Sequence, residues 1–146
     1  MIHSLEDFKT YNLAMKFGQE VWDIVQRWDY FSKDTIGKQL VKSTDSIAAN
    51  LSEGLGRYHF KEIINFSYYS RGSLFETKTW LTKAKDRQLI SLDEFDQLIT
   101  TSDIIGKMIN TYIKSIGGVS EPDVEYSVSN QNDLNTPKSQ VLSPKP

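Results

Sequence analysis

The sequence has no cysteine, only two histidines (His3 and His59), and no proline before Pro122. Without cysteine the chain can form no disulfide, thiolate metal site or cysteine nucleophile. The histidines lie in different segments, and neither forms the Glu-x-x-His pair that di-metal helical bundles use. Phosphate-binding glycine loops and the G-x-S-x-G motif are also missing. We therefore expect a protein that is not an enzyme, with no catalytic residue, metal or cofactor.

Long apolar runs are absent as well. No run approaches the roughly 18 residues that suggest a membrane span. The first ten residues are polar and mixed in charge, and they lack the apolar centre of a secretory signal. These features predict a soluble cytoplasmic protein that does not associate with membranes.

The sequence also has no large excess of positive or negative charge, since its formal net charge is −2. Residues 117–146 contain four acids and two lysines, which leaves 15 basic and 15 acidic residues in the rest of the chain. A dedicated nucleic-acid binder usually shows a clear basic excess. The neutral balance argues against such a role, although a local basic patch can still contact phosphates.

All four prolines lie in the last 25 residues, among many serines, asparagines and glutamines. This composition predicts a bundle over residues 1–116 and a disordered tail over residues 117–146. Val124, Tyr126 and Val128 alternate with polar residues, so an edge strand or a docking segment is the alternative for that stretch.

Apolar residues in the first 116 positions recur every three or four residues, the period of an α-helix. They predict helices over residues 11–30, 35–54, 59–87 and 92–116. Thr10, Asp34 and Ser91 are the expected N-caps. The expected helix ends are Gly54 and Gly56 in left-handed conformation after the second helix, and Gly117-Gly118 after the fourth. Short loops join the segments, so the fold class is an all-α, antiparallel up-down four-helix bundle.

Two glutamates stand among small or apolar residues in the middle of the chain. Glu53 precedes Arg57 by four residues, a favourable orientation for a helical ion pair. Glu76 lies in the middle of the third helix. A catalytic dyad is one hypothesis. A buried polar network that fixes helix register is favoured, because buried charges persist when they are paired.

Arg71, Lys78 and Lys85 are spaced by seven residues and therefore share one face of the third helix. Arg57, His59 and Lys61 add positive charge at the preceding loop. These residues could follow a phosphate backbone, with Arg57, Lys61, Arg71, Lys78 and Lys85 as the nucleic-acid contacts. A solvated face, or one side of a salt-bridge seam between subunits, is favoured instead.

Aromatic residues exceed what one core stripe needs, and Trp22 and Tyr69 fall outside the predicted stripes. Exposed aromatics at helical spacing are typical of a protein–protein interface.

Two segments resemble a known family. Ser46-Ile47-Ala48-Ala49-Asn50-Leu51-Ser52-Glu53-Gly54 is similar to the S-I-x-x-N-I-A-E-G signature of the four-helix bundle proteins encoded by 23S ribosomal RNA intervening sequences. Ser70-Arg71-Gly72-Ser73-Leu74-Phe75-Glu76 resembles the A-R-G-S-x-x-E stretch of the same family. The likeness covers roughly residues 8–116.

The resemblance implies an antiparallel bundle that assembles into a ring, typically a homopentamer. The family includes the accessory variability determinant proteins of diversity-generating retroelements, basic rings that bind a reverse transcriptase and its template RNA. The neutral bundle and acidic tail of this chain depart from those rings. The resemblance assigns structural or interface roles to the following residues: Asn50, Glu53, Gly54, Arg57, Arg71, Gly72, Ser73 and Glu76.

Together these observations predict a non-enzymatic oligomeric scaffold or adaptor that binds a protein or ribonucleoprotein partner. The alternative is an RNA-binding ring, for example one accessory to a reverse transcriptase.

Overall fold

A computed structural model describes residues 2–119, and every regular element in that range is helical. A 3₁₀ turn (Leu5–Asp7) precedes α1 (Lys9–Val25). Helix α2 covers residues 30–55 without interruption: it starts as Tyr30–Ser32, passes through a π-helical turn at Lys33–Gly37 and continues as Lys38–Leu55. Helices α3 (Phe60–Asp86) and α4 (Leu92–Val119) complete the bundle. The predicted all-α class is confirmed for this part of the chain.

Each helix runs antiparallel to the next one in the chain. On α3, Ser70 bonds to Ile47 of α2, whereas Thr77, further along α3, bonds to the earlier residue Ser43. The same reversal relates α3 to α4 and α1 to α2, and α4 closes the square by packing against α1. The result is an up-down-up-down bundle in which the α1/α2 face lies opposite the α3/α4 face.

The helix starts differ from the predictions at two of the three caps. Phe8 occupies the N-cap position of α1, and the predicted cap, Thr10, is buried inside the helix. Asp29 caps α2, since its carboxylate accepts from the backbone N–H of Ser32 at 3.0 Å. The predicted cap Asp34 instead lies in the π-helical turn. Helix α1 ends at Val25, five residues before the predicted end, because the chain turns at residues 26–29.

Ser91 caps α4 as predicted. Its Oγ accepts from the backbone N–H of Glu94 at 3.0 Å, and the Glu94 carboxylate accepts from the N–H of Ser91 at 3.1 Å. This reciprocal pair is a capping box. The bonds to Ser91, together with the Arg27 guanidinium, lower the pKa of the Glu94 carboxyl.

The predicted glycine terminators are wrong. No described glycine has positive φ, and Gly56 follows α2 in a right-handed conformation with φ −77°. Gly54 is buried within α2, and Gly117-Gly118 lie within α4, which continues to Val119. At Gly54 the absence of a side chain lets α2 and α3 pack closely. The sequence around a glycine does not distinguish this role from helix termination.

The contact between α2 and α3 is made largely by small side chains. Thr77 Oγ1 donates to Ser43 Oγ at 3.0 Å and lies 2.9 Å from the carbonyl oxygen of Ser73. Ser70 Oγ donates to the carbonyl of Ile47 at 2.7 Å. Because these hydroxyls are buried and satisfied, they allow the two helices to approach closely without an unpaired polar group.

Residues 117–119 of the predicted tail belong to α4 instead. The rest of that tail, with the alternation of Val124, Tyr126 and Val128, lies outside the described residues. Within residues 2–119, no helix combines the length and apolar character needed to cross a membrane.

Candidate interaction surfaces

The signature residues come together mainly on the outer face of α2 and α3. Asn50 and Glu53 face outward on α2, and Arg57 follows it in the loop. Arg57 donates to the Glu53 carboxylate at 2.8 Å, as the four-residue spacing predicted. The Arg57 guanidinium also lies 4.8 Å from the centroid of the Phe66 ring on α3. Phe66 in turn meets Tyr69 edge-to-face at 5.3 Å. These contacts form a continuous surface network across the two helices, which we call the α2/α3 face.

Glu53 and Glu76 do not form the predicted buried network, because both side chains are exposed. Glu53 bonds to Arg57, whereas the Glu76 carboxylate accepts from the indole N–H of Trp80 at 3.1 Å. Glu53 lies six residues after the buried Ile47, which places it about 240° around the helix and off the apolar stripe. Each carboxylate therefore has its own partner, and the two do not share a site.

The signature glycines have opposite surroundings. Gly54 is buried, and a Cβ added there would lie 2.9 Å from the Phe66 Cβ. Gly72 is exposed, and a Cβ there would meet nothing within 4 Å. Gly72 forms the floor of a shallow depression walled by Tyr68, Arg71 and Phe75. The depression leaves room for a side chain from another molecule.

Arg71 and Lys78 lie on the opposite edge of α3, beside α4. Both are stacked near one ring: the Arg71 guanidinium is 5.7 Å and the Lys78 ammonium 5.2 Å from the centroid of Phe75. Lys78 also pairs with Asp103 of α4 at 2.7 Å. These residues line a groove between α3 and α4, and Lys107 of α4 lines it as well. We call this surface, defined by Arg71, Phe75, Lys78 and Lys107, the α3/α4 ridge.

The five residues proposed to contact nucleic acid do not form one patch. Arg57 is engaged on the α2/α3 face, and Lys61 is exposed near the start of α3. Lys85 lies over the ring of Phe95 at 4.7 Å, further along the α3/α4 side. The sequence reasoning missed Phe75 and Lys107. Phe75 is detectable in the sequence, because it lies four residues after Arg71 and three before Lys78.

An apolar groove lies between α1 and α2. Met15 and Trp22 stand on its α1 side, with 53% and 47% of their surfaces exposed. Ala48 and Ala49 form its α2 side. The exposure of Trp22 and Tyr69 confirms that both fall outside the core stripes. We call the surface formed by Met15, Trp22, Ala48 and Ala49 the α1/α2 groove.

Asp45 is the acidic residue in the α1/α2 groove. Its carboxylate has no hydrogen bond or ion pair to any described residue, and a Cβ on Gly18 would lie 2.9 Å from it. Burial raises the pKa of the Asp45 carboxyl above its usual range. Tyr11 is the other titratable side chain that lines the groove. An unpaired carboxylate on an apolar surface is suited to receive a cation from another molecule.

Asp45→Asn is expected to stabilise the folded chain at pH 7. The raised folded-state pKa means that the charged form is disfavoured on folding, and this cost is present above the folded pKa. It disappears as the pH falls below the unfolded value, so the variant should match the parent near pH 3. The gain should stay within about 0.5 kcal/mol, because the group is largely exposed.

Urea unfolding of dilute protein at both pH values measures this difference. Asp93→Asn is the matched control: Asp93 lies in the first turn of α4, where the helix dipole favours a carboxylate. That substitution should lower stability at pH 7. A destabilising effect of Asp45→Asn would contradict this expectation.

Another groove separates α1 from α4 and is lined mostly by polar residues. Arg27 bridges it by donating to Glu94 at 2.7 Å, and Asp23 accepts from Gln19 at 3.1 Å. Arg27 and Glu94 are therefore paired within the chain. Within residues 2–119, no three histidine, aspartate or glutamate side chains cluster in a way that could hold a metal ion.

Comparisons with known proteins agree with this architecture. A crystal structure of a protein of unknown function from the S23 ribosomal protein family of Bacteroides thetaiotaomicron superposes with a TM-score of 0.65. The alignment has 20% sequence identity and covers 72% of this chain and 98% of the other, so the two share the fold. No curated protein sequence matches this chain. A model of the family described as 23S rRNA-intervening sequence protein matches residues 6–111, and the chain therefore belongs to that family.

Proposed function

We propose that this protein is a cytoplasmic, non-enzymatic oligomeric scaffold that binds a protein or ribonucleoprotein partner. The subunits form a ring, a pentamer if the family resemblance extends to assembly. The partner binds the α2/α3 face, which carries Glu53, Arg57, Tyr69 and Glu76.

The convergence of signature residues on an exposed face supports this proposal most directly. Glu53 and Arg57 come from one segment and are exposed on the α2/α3 face. Glu76 comes from the other segment, is also exposed, and lies seven residues after Tyr69, which places it on the same side of α3. Arginine and aromatic side chains are enriched at interfaces and supply much of their binding energy. On this face Arg57, the Glu53 carboxylate and the rings of Phe66 and Tyr69 are in contact, and 57% of the Tyr69 surface is exposed. Glu76 lies about two turns further along α3.

Partner capture by the double variant Glu53→Lys/Glu76→Lys tests the proposal. The tagged full-length chain is recovered from its host, and the bound proteins and RNA are identified and quantified. Reversing both charges should reduce recovery of the specific partner at least about tenfold, which corresponds to roughly 1.4 kcal/mol. The fold should survive, because exposed ion pairs contribute only about 0–1 kcal/mol.

Glu20→Lys is the matched control, since Glu20 is exposed on the α1/α4 side. It should recover the partner as the parent does. Equal recovery by the parent and by the double variant would contradict binding through the α2/α3 face.

The alternative function is an RNA-binding ring, for example one accessory to the reverse transcriptase of a diversity-generating retroelement. The α3/α4 ridge favours it, because Arg71, Lys78 and Lys107 surround an exposed ring on which a base could stack. Under this alternative, binding of a labelled single-stranded RNA should weaken steeply between low and moderate salt. Arg71→Gln/Lys78→Gln/Lys85→Gln should abolish that binding, and unchanged affinity would exclude it.

A further inference from the structure

We propose that neighbouring subunits join head to tail, with the α3/α4 ridge of one subunit seated in the α1/α2 groove of the next. This inference rests on the proposed oligomeric scaffold and names the two surfaces that build it. The occupant of the groove is therefore a second copy of this chain.

The α1/α2 groove offers apolar area and one unpaired negative charge. Met15 and Trp22 stand exposed on α1, seven residues apart and so on one face, beside Ala48 and Ala49 of α2. Gly18 opens the space between them. Asp45 lies in the groove without a cationic partner among the described residues. The groove thus calls for an occupant with an apolar knob and an adjacent cation.

The α3/α4 ridge carries both features. Phe75 is 55% exposed, which gives the ridge its apolar knob. Arg71 and Lys78 flank Phe75, and Lys107 lines the groove beside it. Asp103 neutralises Lys78, so Arg71 and Lys107 remain without an ion pair to a described residue. The ridge is therefore complementary in charge and in apolar character to the α1/α2 groove.

The positions of the two surfaces favour a level, head-to-tail array of subunits. They lie on opposite faces of the bundle, so the contact is heterologous and each subunit uses both surfaces. They also lie at one height: Gly18 faces Asp45, Thr77 faces Ser43, and Leu74 faces Gly106 across the successive helix pairs. Subunits joined at equal heights with parallel axes stay level, and such an array closes into a ring where each joint also turns one subunit relative to the next. An offset in height would generate a helical filament instead.

Two single-face variants test this arrangement. Trp22→Glu removes only the groove, and Phe75→Glu removes only the ridge. Both side chains are exposed, so each variant should keep the helical circular dichroism of the parent. Each should raise the dissociation constant at least about 30-fold, the change expected at an interface hot spot, and should run as a monomer in light scattering at micromolar concentration.

Mixing the two variants gives the sharpest result. The intact ridge of the Trp22→Glu chain can still enter the intact groove of the Phe75→Glu chain, so a 1:1 heterodimer should form and stop there. Tyr69→Glu is the matched control on the α2/α3 face and should retain the mass of the parent. Met15→Glu is a second groove variant that should behave as Trp22→Glu does.

The other outcomes separate the two proposals. A parent chain that is monomeric at micromolar concentration overturns the oligomeric scaffold itself. If the parent, Trp22→Glu and Phe75→Glu all assemble, the head-to-tail joint is overturned and the proposed scaffold stands. Two monomeric variants that fail to form a heterodimer also overturn the joint. If Phe75→Glu keeps the assembly but loses RNA binding, the ridge serves RNA and not a second subunit.

Discussion

Replacing Gly54 by alanine is expected to lower the free energy of unfolding by about 1–3 kcal/mol, the usual cost of overpacking a well-packed contact. The new Cβ would lie 2.9 Å from the Phe66 Cβ and 3.3 Å from the carbonyl oxygen of Ile63, both on α3. Neither atom is the end of a flexible side chain, so the helices themselves must separate. The hydrogen bonds from Ser70 and Thr77 of α3 to α2 would then lengthen.

Urea unfolding at one fixed protein concentration measures the effect, and Gly72→Ala is the matched control on the same helix pair. A Cβ at Gly72 meets nothing, so alanine should stabilise the subunit by about 0.5–1 kcal/mol through its higher helix propensity. The two substitutions are chemically identical and should differ in sign. An alanine at position 54 that is neutral or stabilising would show that α2 and α3 do not pack this closely.

The helical pattern of the sequence was sufficient to predict the bundle, because four amphipathic segments joined by short loops have few other ways to bury their apolar stripes. The start of α4 was also predictable, since the Ser91–Glu94 capping box is a purely local signal. In the same way, the Glu53–Arg57 pair follows from spacing within one segment.

Boundaries that depend on packing between segments were not predictable in this way. Trp28 keeps the apolar period of α1, so the predicted helix continued to residue 30. The chain instead turns after Val25, and Asp29 starts α2. Gly54 looks like a helix terminator in the sequence, and only the position of Phe66 shows why a side chain is excluded there.

For the candidate surfaces too, spacing within one segment was informative, whereas contacts between segments were not predictable. Spacing correctly placed Arg71, Lys78 and Lys85 on one side of α3. It could not show that Lys78 pairs with Asp103, that Arg57 belongs to a different face, or that Lys107 joins Arg71 across the groove. Glu53 and Glu76 were predicted to be buried from the character of their sequence neighbours. Along a helix, however, the angle around the axis decides exposure, and neighbours in sequence point in other directions.

The three outer surfaces have compatible roles in one assembly. If the α1/α2 groove and the α3/α4 ridge join subunits, the α2/α3 face between them stays exposed on every subunit. A ring then presents several copies of the Glu53–Arg57–Tyr69 surface, and a partner with repeated sites gains affinity through multivalency. The loss of partner capture on Glu53→Lys/Glu76→Lys should therefore be larger for the assembled parent than for the monomeric Trp22→Glu chain.

Phe8→Ala is expected to cost about 3–5 kcal/mol, the largest effect of any substitution considered, because it empties a fully enclosed aromatic site. Phe8 precedes α1, lies outside every helix predicted from the sequence, and is only 1% exposed. Its ring centroid is 4.7 Å from that of Tyr112 on α4 and 6.4 Å from that of Tyr11. It therefore joins the first and last helices at the end of the bundle opposite the Arg27–Glu94 pair.

Phe31→Ala is the matched control, since 74% of the Phe31 surface is exposed and its loss should change stability by no more than about 0.5 kcal/mol. A second measurement follows from Tyr112, whose phenol has its pKa raised by burial. Removing Phe8 admits water to that ring, so the Tyr112 pKa should fall toward its ordinary value under conditions where the variant remains folded. Similar stability losses for Phe8→Ala and Phe31→Ala, with an unchanged Tyr112 titration, would mean that the segment before α1 does not close the bundle and that α1 and α4 are held together by their helical contacts alone.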